Sequence, residues 1–169
     1  MERPSQETLR NIIEGALERG TPETAFSAMQ AFMQLTKTTG AIRRLVDDYL
    51  ATQGISRGKF TVLSLLHDKF DAGMLPHELA ERAGVSRATI TGLLDGLARQ
   101  GFIFRVEHAS DRRMRIIRLT EAGRNFLEEV FPNHLQRVIK TMSCLDEKEL
   151  NELTRLLVKL QKGISSQHS

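Results

Sequence analysis

The sequence predicts a mainly α-helical fold with a small β-wing, a winged helix-turn-helix between long N- and C-terminal helices. Three observations predict it. Two short amphipathic segments meet across a glycine-containing turn at Gly84. Two short segments of aromatic and β-branched residues follow, separated by a charged connector over residues 107–113. Stripes of apolar residues at helical spacing extend through both ends of the 169-residue chain.

The composition disfavours several other classes of protein. Hydrophobic residues make up 40% of the chain, which is enough for a packed core. No apolar run reaches the ~18 residues that a membrane span requires, and residues 1–10 lack the apolar core of a secretory signal. The single cysteine, Cys144, permits no intrachain disulfide, and the five histidines lack metal-ligand spacing. We therefore expect a cytoplasmic protein without a membrane partner, a metal or another cofactor.

The first 54 residues predict two helices. A short helix is expected from about Ser5 to Arg19. Thr21 and Pro22 then begin a longer helix, because threonine is a good N-cap and proline suits the first helical position. The apolar residues of this second helix recur mostly at three- and four-residue steps as far as Thr52. A stripe of that length needs a partner surface, so residues 1–54 are predicted to serve dimerisation.

The middle of the chain, residues 55–120, predicts a DNA-binding domain. Ser56 caps a third helix, and a short fourth helix ends at Gly84. Ser86 then caps the segment 86–100, called here the recognition helix, whose apolar stripe is formed by Ile90, Leu93, Leu94 and Leu97. Strands are expected over residues 102–106 and 116–119. The connector between them is too long and too charged for a tight hairpin, so it should project as a wing.

Residues 121–164 predict two further helices. Thr120 caps the first of them, and Asp146 with Glu149 forms a start of the capping-box type for the last. The apolar residues of the last helix follow a coiled-coil rhythm of three- and four-residue steps: Leu150, Leu153, Leu157, Leu160 and Ile164. The rhythm indicates helix pairing, so these helices are also assigned to dimerisation. Residues 165–169 are predicted to be a disordered tail.

Positive charge is concentrated in the middle of the chain. Between Ser86 and Leu119 there are seven arginines against three acids, a net charge of +4, whereas the whole chain carries +3. Arginine suits phosphates and base edges better than lysine because its planar fork donates several hydrogen bonds. An ordinary solvated face is the alternative interpretation of such a charge run.

The recognition helix supplies the first candidate DNA contacts. Its face opposite the apolar stripe carries the small residues Ala88 and Gly92, which allow close approach to a groove floor. Residues at the N-terminus of such a helix usually touch base edges, and free backbone N–H groups there can hold a phosphate. The candidates are Ser86, Arg87, Ala88, Thr89, Thr91 and Gly92. No core position requires glycine at Gly92 or Gly96, which favours close approach to a partner. An ordinary surface helix is the alternative.

The wing and the segment after it resemble a known family. Asp111-Arg112-Arg113 is followed by Leu119-Thr120 and Gly123-Arg124, and upstream stand Glu78-Leu79-Ala80, Gly84-Val85-Ser86-Arg87, Thr91, Leu97 and Gly101-Phe102. On these motifs residues 55–160 resemble the MarR family of bacterial regulators. The resemblance implies a homodimer on double-stranded DNA, with a wing arginine in the minor groove. That role falls on Arg113 or Arg112, with Asp111 orienting the guanidinium, and Arg115 is a further candidate DNA contact.

The sequence departs from the family pattern in three places. Leu75-Pro76 stands where a capping Thr or Ser is usual before the first helix of the motif. Gly92 occupies a position that is often basic, which puts one phosphate contact in doubt. An additional helix precedes the usual dimerisation helix, and we expect it to enlarge the dimer interface.

The favoured hypothesis is a transcriptional repressor released from a pseudo-palindromic operator by a small aromatic or carboxylate effector. The effector is expected between the dimerisation helices and the winged lobe, with candidate residues Met29, Met33, Arg43, Arg44, Tyr49 and His67. Plain helix packing is the alternative for these residues. A winged helix that binds only proteins and a small enzyme are the rival functions, but the sequence carries an arginine-rich wing and no catalytic motif. Redox sensing through Cys144 is not expected.

Overall fold

The computed structural model describes residues 6–17, 25–107 and 114–167, which form seven helices and one two-stranded antiparallel sheet. In chain order the elements are α1 (Gln6–Leu17), α2 (Ala25–Thr52), α3 (Arg57–His67), α4 (Pro76–Ala83), α5 (Arg87–Arg99), β1 (Ile103–Glu107), β2 (Arg115–Leu119), α6 (Glu121–Met142) and α7 (Glu147–Ser166). None of the helices in these ranges is long and apolar enough to cross a membrane. The chain divides into two compact units, Met1–Asp48 and Tyr49–Ser169.

The first unit contains α1 and most of α2. The predicted start of the long helix at Thr21 lies outside the described residues. Helix α2 continues without interruption through Gly40. A Cβ there would meet only the tip of Arg44, at 3.8 Å, so nothing near this position requires glycine. Its large apolar residues are exposed: Met29, Phe32, Leu35, Ile42 and Leu45. This unit therefore presents an uncovered apolar surface.

The second unit has a well-packed core. Helices α3, α4 and α5 pack on one another and on the sheet, and the last turn of α2 adds Tyr49 and Leu50 to the same core. The largest fully buried side chains are Leu50, Val62, Leu63, Leu66, Leu79, Ile90, Leu94, Leu97 and Ile117. The predicted helix-turn-helix and its wing are thus confirmed as one folded lobe.

The ends of α4 follow from local chemistry. Pro76 occupies the first turn, where its missing N–H costs nothing. Leu75 cannot cap with its side chain, but the Leu75 N–H donates to Glu78 Oε2 at 2.8 Å, so the expected weak start is compensated. Gly84 ends the helix in the left-handed region at φ 64°, which glycine adopts without strain. The turn of the motif is therefore built by residues that the sequence already indicates.

The wing is a two-stranded antiparallel ladder in which Ile103 pairs with Leu119 and Glu107 with Arg115. An additional bridge joins Met74 to Ile117 through hydrogen bonds of 2.8 and 3.0 Å. This bridge was not predicted from the sequence, because a single paired residue has no periodicity to detect. It attaches the segment before α4 to the sheet.

The Leu-Thr-x-x-Gly sequence after the wing is a joint between β2 and α6. The Thr120 N–H donates to the Phe102 carbonyl at 3.0 Å and the Thr120 hydroxyl donates to the Gly101 carbonyl at 2.7 Å. The same hydroxyl oxygen accepts from the Gly123 N–H at 3.0 Å, which caps α6. A Cβ at Gly123 would overlap the Phe102 carbonyl oxygen. Glycine is required there because the helix and the strand come into contact.

Helix α7 begins with the predicted capping box, in which the Glu149 N–H donates to Asp146 Oδ1 at 2.9 Å and the Asp146 N–H to Glu149 Oε2 at 2.9 Å. The helix continues through Ser166, so the prediction of a disordered tail is wrong for Ser165 and Ser166. Their hydroxyls donate to backbone carbonyls of the preceding turn and satisfy groups at the helix end. Residues 168 and 169 lie outside the described residues.

Candidate nucleic-acid interface

The N-terminal turns of α5 are free on one side and packed on the other. The predicted contact residues Ser86, Arg87, Ala88, Thr89, Thr91 and Gly92 are all exposed. On the opposite side Ile90, Leu94 and Leu97 are buried. The helix is therefore fixed in the lobe by its apolar stripe, while its first two turns remain accessible to a groove.

The hydroxyl groups at this helix start stabilise it. Ser86 Oγ accepts from the Thr89 N–H at 3.1 Å, and the Ser86 and Thr89 hydroxyl oxygens lie 2.9 Å apart. The Thr91 hydroxyl donates to the Arg87 carbonyl at 2.9 Å. Since this uses the single hydroxyl proton of Thr91, its oxygen is left as an acceptor toward an external donor. The arrangement combines a capped helix N-terminus with an exposed arginine at Arg87.

The two glycines of this helix have different explanations. A Cβ at Gly92 would meet nothing within 4 Å, so nothing in the fold requires glycine at this exposed position. At Gly96 a Cβ would lie 2.6 Å from Lys59 Cε. The close-approach interpretation of Gly96 is therefore wrong, because its missing side chain makes room for the Lys59 stem. Lys59 Nζ in turn donates to Gln100 Oε1 at 2.7 Å.

One face of the wing carries a line of ion pairs. Because side chains alternate along a strand, Ile103, Arg105 and Glu107 share one face of β1. Arg105 Nη2 lies 2.5 Å from Asp95 Oδ1 of α5. Farther along, Arg115 Nη1 of β2 lies 2.6 Å from Glu107 Oε1, its partner in the ladder. Asp95 of the recognition helix is thus paired with the wing.

These ion pairs neutralise part of the positive charge that the sequence concentrates between Ser86 and Leu119. Two of the three acids between Ser86 and Leu119 each neutralise an arginine. Arg87 and Arg99 are exposed and form no ion pair with any described residue. The predicted wing contacts Asp111, Arg112 and Arg113 lie outside the described residues. Net positive charge therefore remains at the start of α5 and in the sequence of the tip.

The candidate effector residues fall in both units. Met29, Arg43 and Arg44 of α2 are exposed and Met33 is half-buried in the first unit, and His67 is exposed in the second. Tyr49 is buried instead. Its hydroxyl donates to the Val130 carbonyl at 3.1 Å, so this side chain has the contacts of a core residue.

The ring of Tyr49 belongs to an aromatic cluster in the second unit. It stacks on His134 with a centroid distance of 6.2 Å and an interplanar angle of 10°. Phe60 meets His134 edge-on at 5.1 Å, and the Arg137 guanidinium lies 4.5 Å from the Tyr49 ring centroid. Burial in this cluster lowers the pKa of His134 below 6.5, since the charged imidazolium loses solvation. The cluster ties the end of α2 to α3 and α6.

A separate cleft of about 510 Å³ lies beside α4 and includes none of the predicted effector residues. Lys69, Met74, Glu78 and Arg82 are among its lining residues. In the parts of the chain that the structure describes, no group of three or more His, Cys, Asp or Glu side chains is placed to hold a metal ion. The Cys144 thiol is exposed and lies 3.9 Å from the Thr141 carbonyl.

Comparison with known proteins matches the winged lobe and extends beyond it. Residues 53–114 match the model described as MarR family. The HTH-type transcriptional repressor YetL of Bacillus subtilis is 36% identical over 94% of this chain and 88% of its own length. A mutant MarR from E. coli complexed with operator DNA superposes with a TM-score of 0.72 at 22% identity, over 83% of this chain and 99% of that one. CouR from Rhodococcus jostii RHA1, bound to p-coumaroyl-CoA, has a TM-score of 0.67 at 23% identity, over 75% and 88%.

Proposed function

Since the chain belongs to the MarR family of transcriptional regulators, we propose that it is a homodimeric repressor that binds a pseudo-palindromic DNA operator. The observation that carries the proposal is the start of α5, where a capped helix N-terminus, an exposed arginine and small exposed residues face away from the core. In a helix-turn-helix this is the end of the helix that enters the major groove.

We assign base and phosphate contacts to different groups of this surface. Arg87 and Thr89 stand at the first turn, where side chains reach base edges. Free backbone N–H groups at the same turn suit a phosphate oxygen. Gly92 leaves open space against the groove, where a larger residue would hold the helix away. The exposure of all these groups supports the assignment.

The wing is assigned to the minor groove. Strand β1 ends at Glu107 and β2 begins at Arg115, so Arg112 and Arg113 belong to the segment of sequence that connects them. Asp111 is proposed to orient one of their guanidinium groups. Arg115 uses one guanidinium nitrogen on Glu107 and retains other N–H donors for a phosphate. A narrow minor groove attracts arginine through its negative potential.

We further propose that the terminal helices form the dimer. No residue of α7 is buried, although its apolar stripe extends from Leu150 to Ile164. The predicted interface residues Leu150 and Leu153 are half-buried, while Leu157 and Leu160 are exposed. Exposed apolar residues on α6 add to this surface: Phe131, Leu135, Val138 and Ile139. An isologous pairing would set two recognition helices about 34 Å apart, one turn of DNA.

A small-molecule effector is part of the proposal. The related fold of CouR is bound to p-coumaroyl-CoA, an aromatic acyl group on an anionic carrier. In the present chain the exposed Arg43 and Arg44 of α2 supply cations for an acidic group, and Met29 and Met33 on the same helix supply apolar contact. An aromatic carboxylate is the chemical class that fits these residues.

The test begins with selection of bound duplexes from random DNA and ends with affinities at several salt concentrations. We expect a two-fold symmetric sequence, and a log-log salt slope of about −0.9 for each phosphate contacted. Binding to random DNA should show a similar slope at lower affinity. A protein that retains no duplex, or binds without salt dependence, would exclude the proposed function. Aromatic carboxylates are then screened for release of the selected operator.

A further inference from the structure

We infer that Asp95 and Arg105 are positioning residues for DNA recognition, which hold the wing at a fixed angle to the recognition helix. The inference rests on the proposed function and assigns a role within it that direct contacts do not provide. Its basis is the ion pair of 2.5 Å between α5 and β1, two elements that are proposed to enter different grooves.

The pair occupies the point at which the wing leaves the core. At the base of the wing Ile103, Ile117 and Leu119 are buried and fix the sheet through apolar contacts. The next residue on that face of β1 is Arg105, and the described residues beyond it on that face are Glu107 and its ladder partner Arg115. Among the described side chains of this wing face, Arg105 is therefore the last one held by the recognition helix.

Geometry makes this point important for the tip. Residues 103 and 107 are about 13 Å apart along the strand, at roughly 3.3 Å per residue. A small rotation at the base thus becomes a larger displacement at the far end of the two strands, at Glu107 and Arg115. An exposed ion pair contributes little to stability. Loss of the Asp95–Arg105 pair should therefore change the orientation of the wing and have little effect on folding.

A direct phosphate contact by Arg105 is the competing explanation, and it makes opposite predictions. Losing a phosphate contact reduces the magnitude of the salt slope by about 0.9 and weakens all DNA alike. Removing the acid that restrains such an arginine would strengthen binding. A positioning pair instead predicts that loss of either partner lowers the ratio of operator to non-operator affinity, with an unchanged slope.

The experiment measures that ratio for Asp95→Asn, Arg105→Gln and the double variant in the full-length protein. Long-range charge acts on both DNAs and cancels in the ratio. We expect about a three- to fivefold fall in each single variant, which is as much as the loss of one exposed ion pair can account for. We expect no further fall in the double variant, as for two residues that share one interaction. The charge-exchanged variant, Asp95→Arg with Arg105→Asp, should recover part of the ratio.

Glu128→Gln is the matched control. Glu128 pairs with Arg124 on α6, and its side chain is 50% exposed against 47% for Asp95. Like Asp95→Asn, the Glu128→Gln variant removes one negative charge, but away from the wing. It should leave the ratio of operator to non-operator affinity unchanged. An unchanged ratio in both single variants, or falls that add in the double variant, would overturn the inference.

Failure of the proposed function is visible separately, because it appears as absence of salt-dependent DNA binding by the unaltered protein. Amide hydrogen exchange in the free protein gives a readout that needs no DNA. Asp95→Asn should accelerate exchange in β1 and β2 while α3 and α4 stay protected. Unchanged exchange in the strands would contradict a restraint on the wing.

Discussion

Apolar residues at helical spacing are mostly buried in the winged lobe and mostly exposed in the last helix. In the lobe, leucines at helical spacing are fully buried, as Leu79 and Leu97 at 0% exposure illustrate. In α7, leucines and isoleucine at comparable spacing are open to solvent, with Leu160 at 47% and Ile164 at 51%. The lobe completes its core within one chain, whereas α7 leaves its stripe uncovered.

The difference separates two sources of stability. Burying a leucine side chain contributes roughly 1.5–3 kcal/mol, so the stripe of α7 gains most of its value only when a second surface covers it. The lobe already has that gain without a partner. Substitutions in the lobe should therefore change folding or DNA affinity, and substitutions in the stripe should change assembly.

The largest effect is expected from charges placed on the open stripe. Leu157→Asp with Leu160→Asp would bury two carboxylates in the proposed interface, so the dimer should dissociate at micromolar concentration in sedimentation velocity. Operator affinity should fall at least about 100-fold, because the second half-site is no longer tethered. Asn151→Asp with Lys162→Gln adds the same charge away from the stripe and should leave the dimer intact. An unchanged sedimentation coefficient of the leucine variant would refute the proposed interface.

Gly123→Ala tests the winged lobe, whose core is complete within one chain. The added Cβ overlaps the Phe102 carbonyl oxygen, so the free energy of unfolding should fall by about 1–3 kcal/mol in urea titration. Gly92→Ala is the matched control, because its Cβ meets open space and alanine favours a helix by about 1 kcal/mol. Equal effects at the two glycines would show that packing at the joint is looser than the structure indicates.

Arg87→Ala should act on affinity alone. Loss of a bidentate base contact costs about 1–3 kcal/mol of discrimination against the wrong base pair. The variant should bind its operator more weakly and tolerate changes at particular base pairs, with dimerisation and unfolding unchanged. Competition with single-substitution operators measures the loss. A uniform loss across all these operators would reassign Arg87 to phosphate.

Arg113→Ala should give that uniform loss. Removing a wing cation should weaken operator and random DNA together and reduce the magnitude of the salt slope by about 0.9. Asp111→Ala should produce a weaker version through loss of arginine orientation. Tighter binding by Asp111→Ala would instead identify Asp111 as an acid that simply repels phosphate.

The smallest effect concerns acid stability of the aromatic cluster. The pKa of His134 is lowered below 6.5 by burial, so between that folded value and 6.5 the unfolded chain binds more protons. Stability is therefore retained above pH 6.5 and declines as pH falls toward the folded pKa. His134→Gln should reduce the decline that urea unfolding measures on the acid side. An identical pH profile would assign the acid sensitivity to other groups.

Local chemistry was the predictable part of this molecule. Ser86, Gly84 and the cap that Thr120 provides for α6 act through neighbours a few residues away, so their roles follow from sequence spacing. The ion pair of Asp95 with Arg105, the space that Gly96 leaves for Lys59 and the burial of Tyr49 each join separate elements. No periodic pattern in the sequence predicts such contacts between elements. The end of α7 was misplaced because polar serines were taken as a tail, although their hydroxyls continue the helix.

The joint at Thr120 also determines where the chain tolerates length changes. Strand β2 ends at Leu119 and α6 starts at Glu121, with Thr120 hydrogen-bonded to the loop before β1. Because only Thr120 separates β2 from α6, an inserted residue would rotate α6 by about 100° about its axis. Helix α6 spans 22 residues, about 33 Å, and a tilt of about 5° at this end would shift the other by about 3 Å. Loop grafting or domain insertion should therefore avoid this junction.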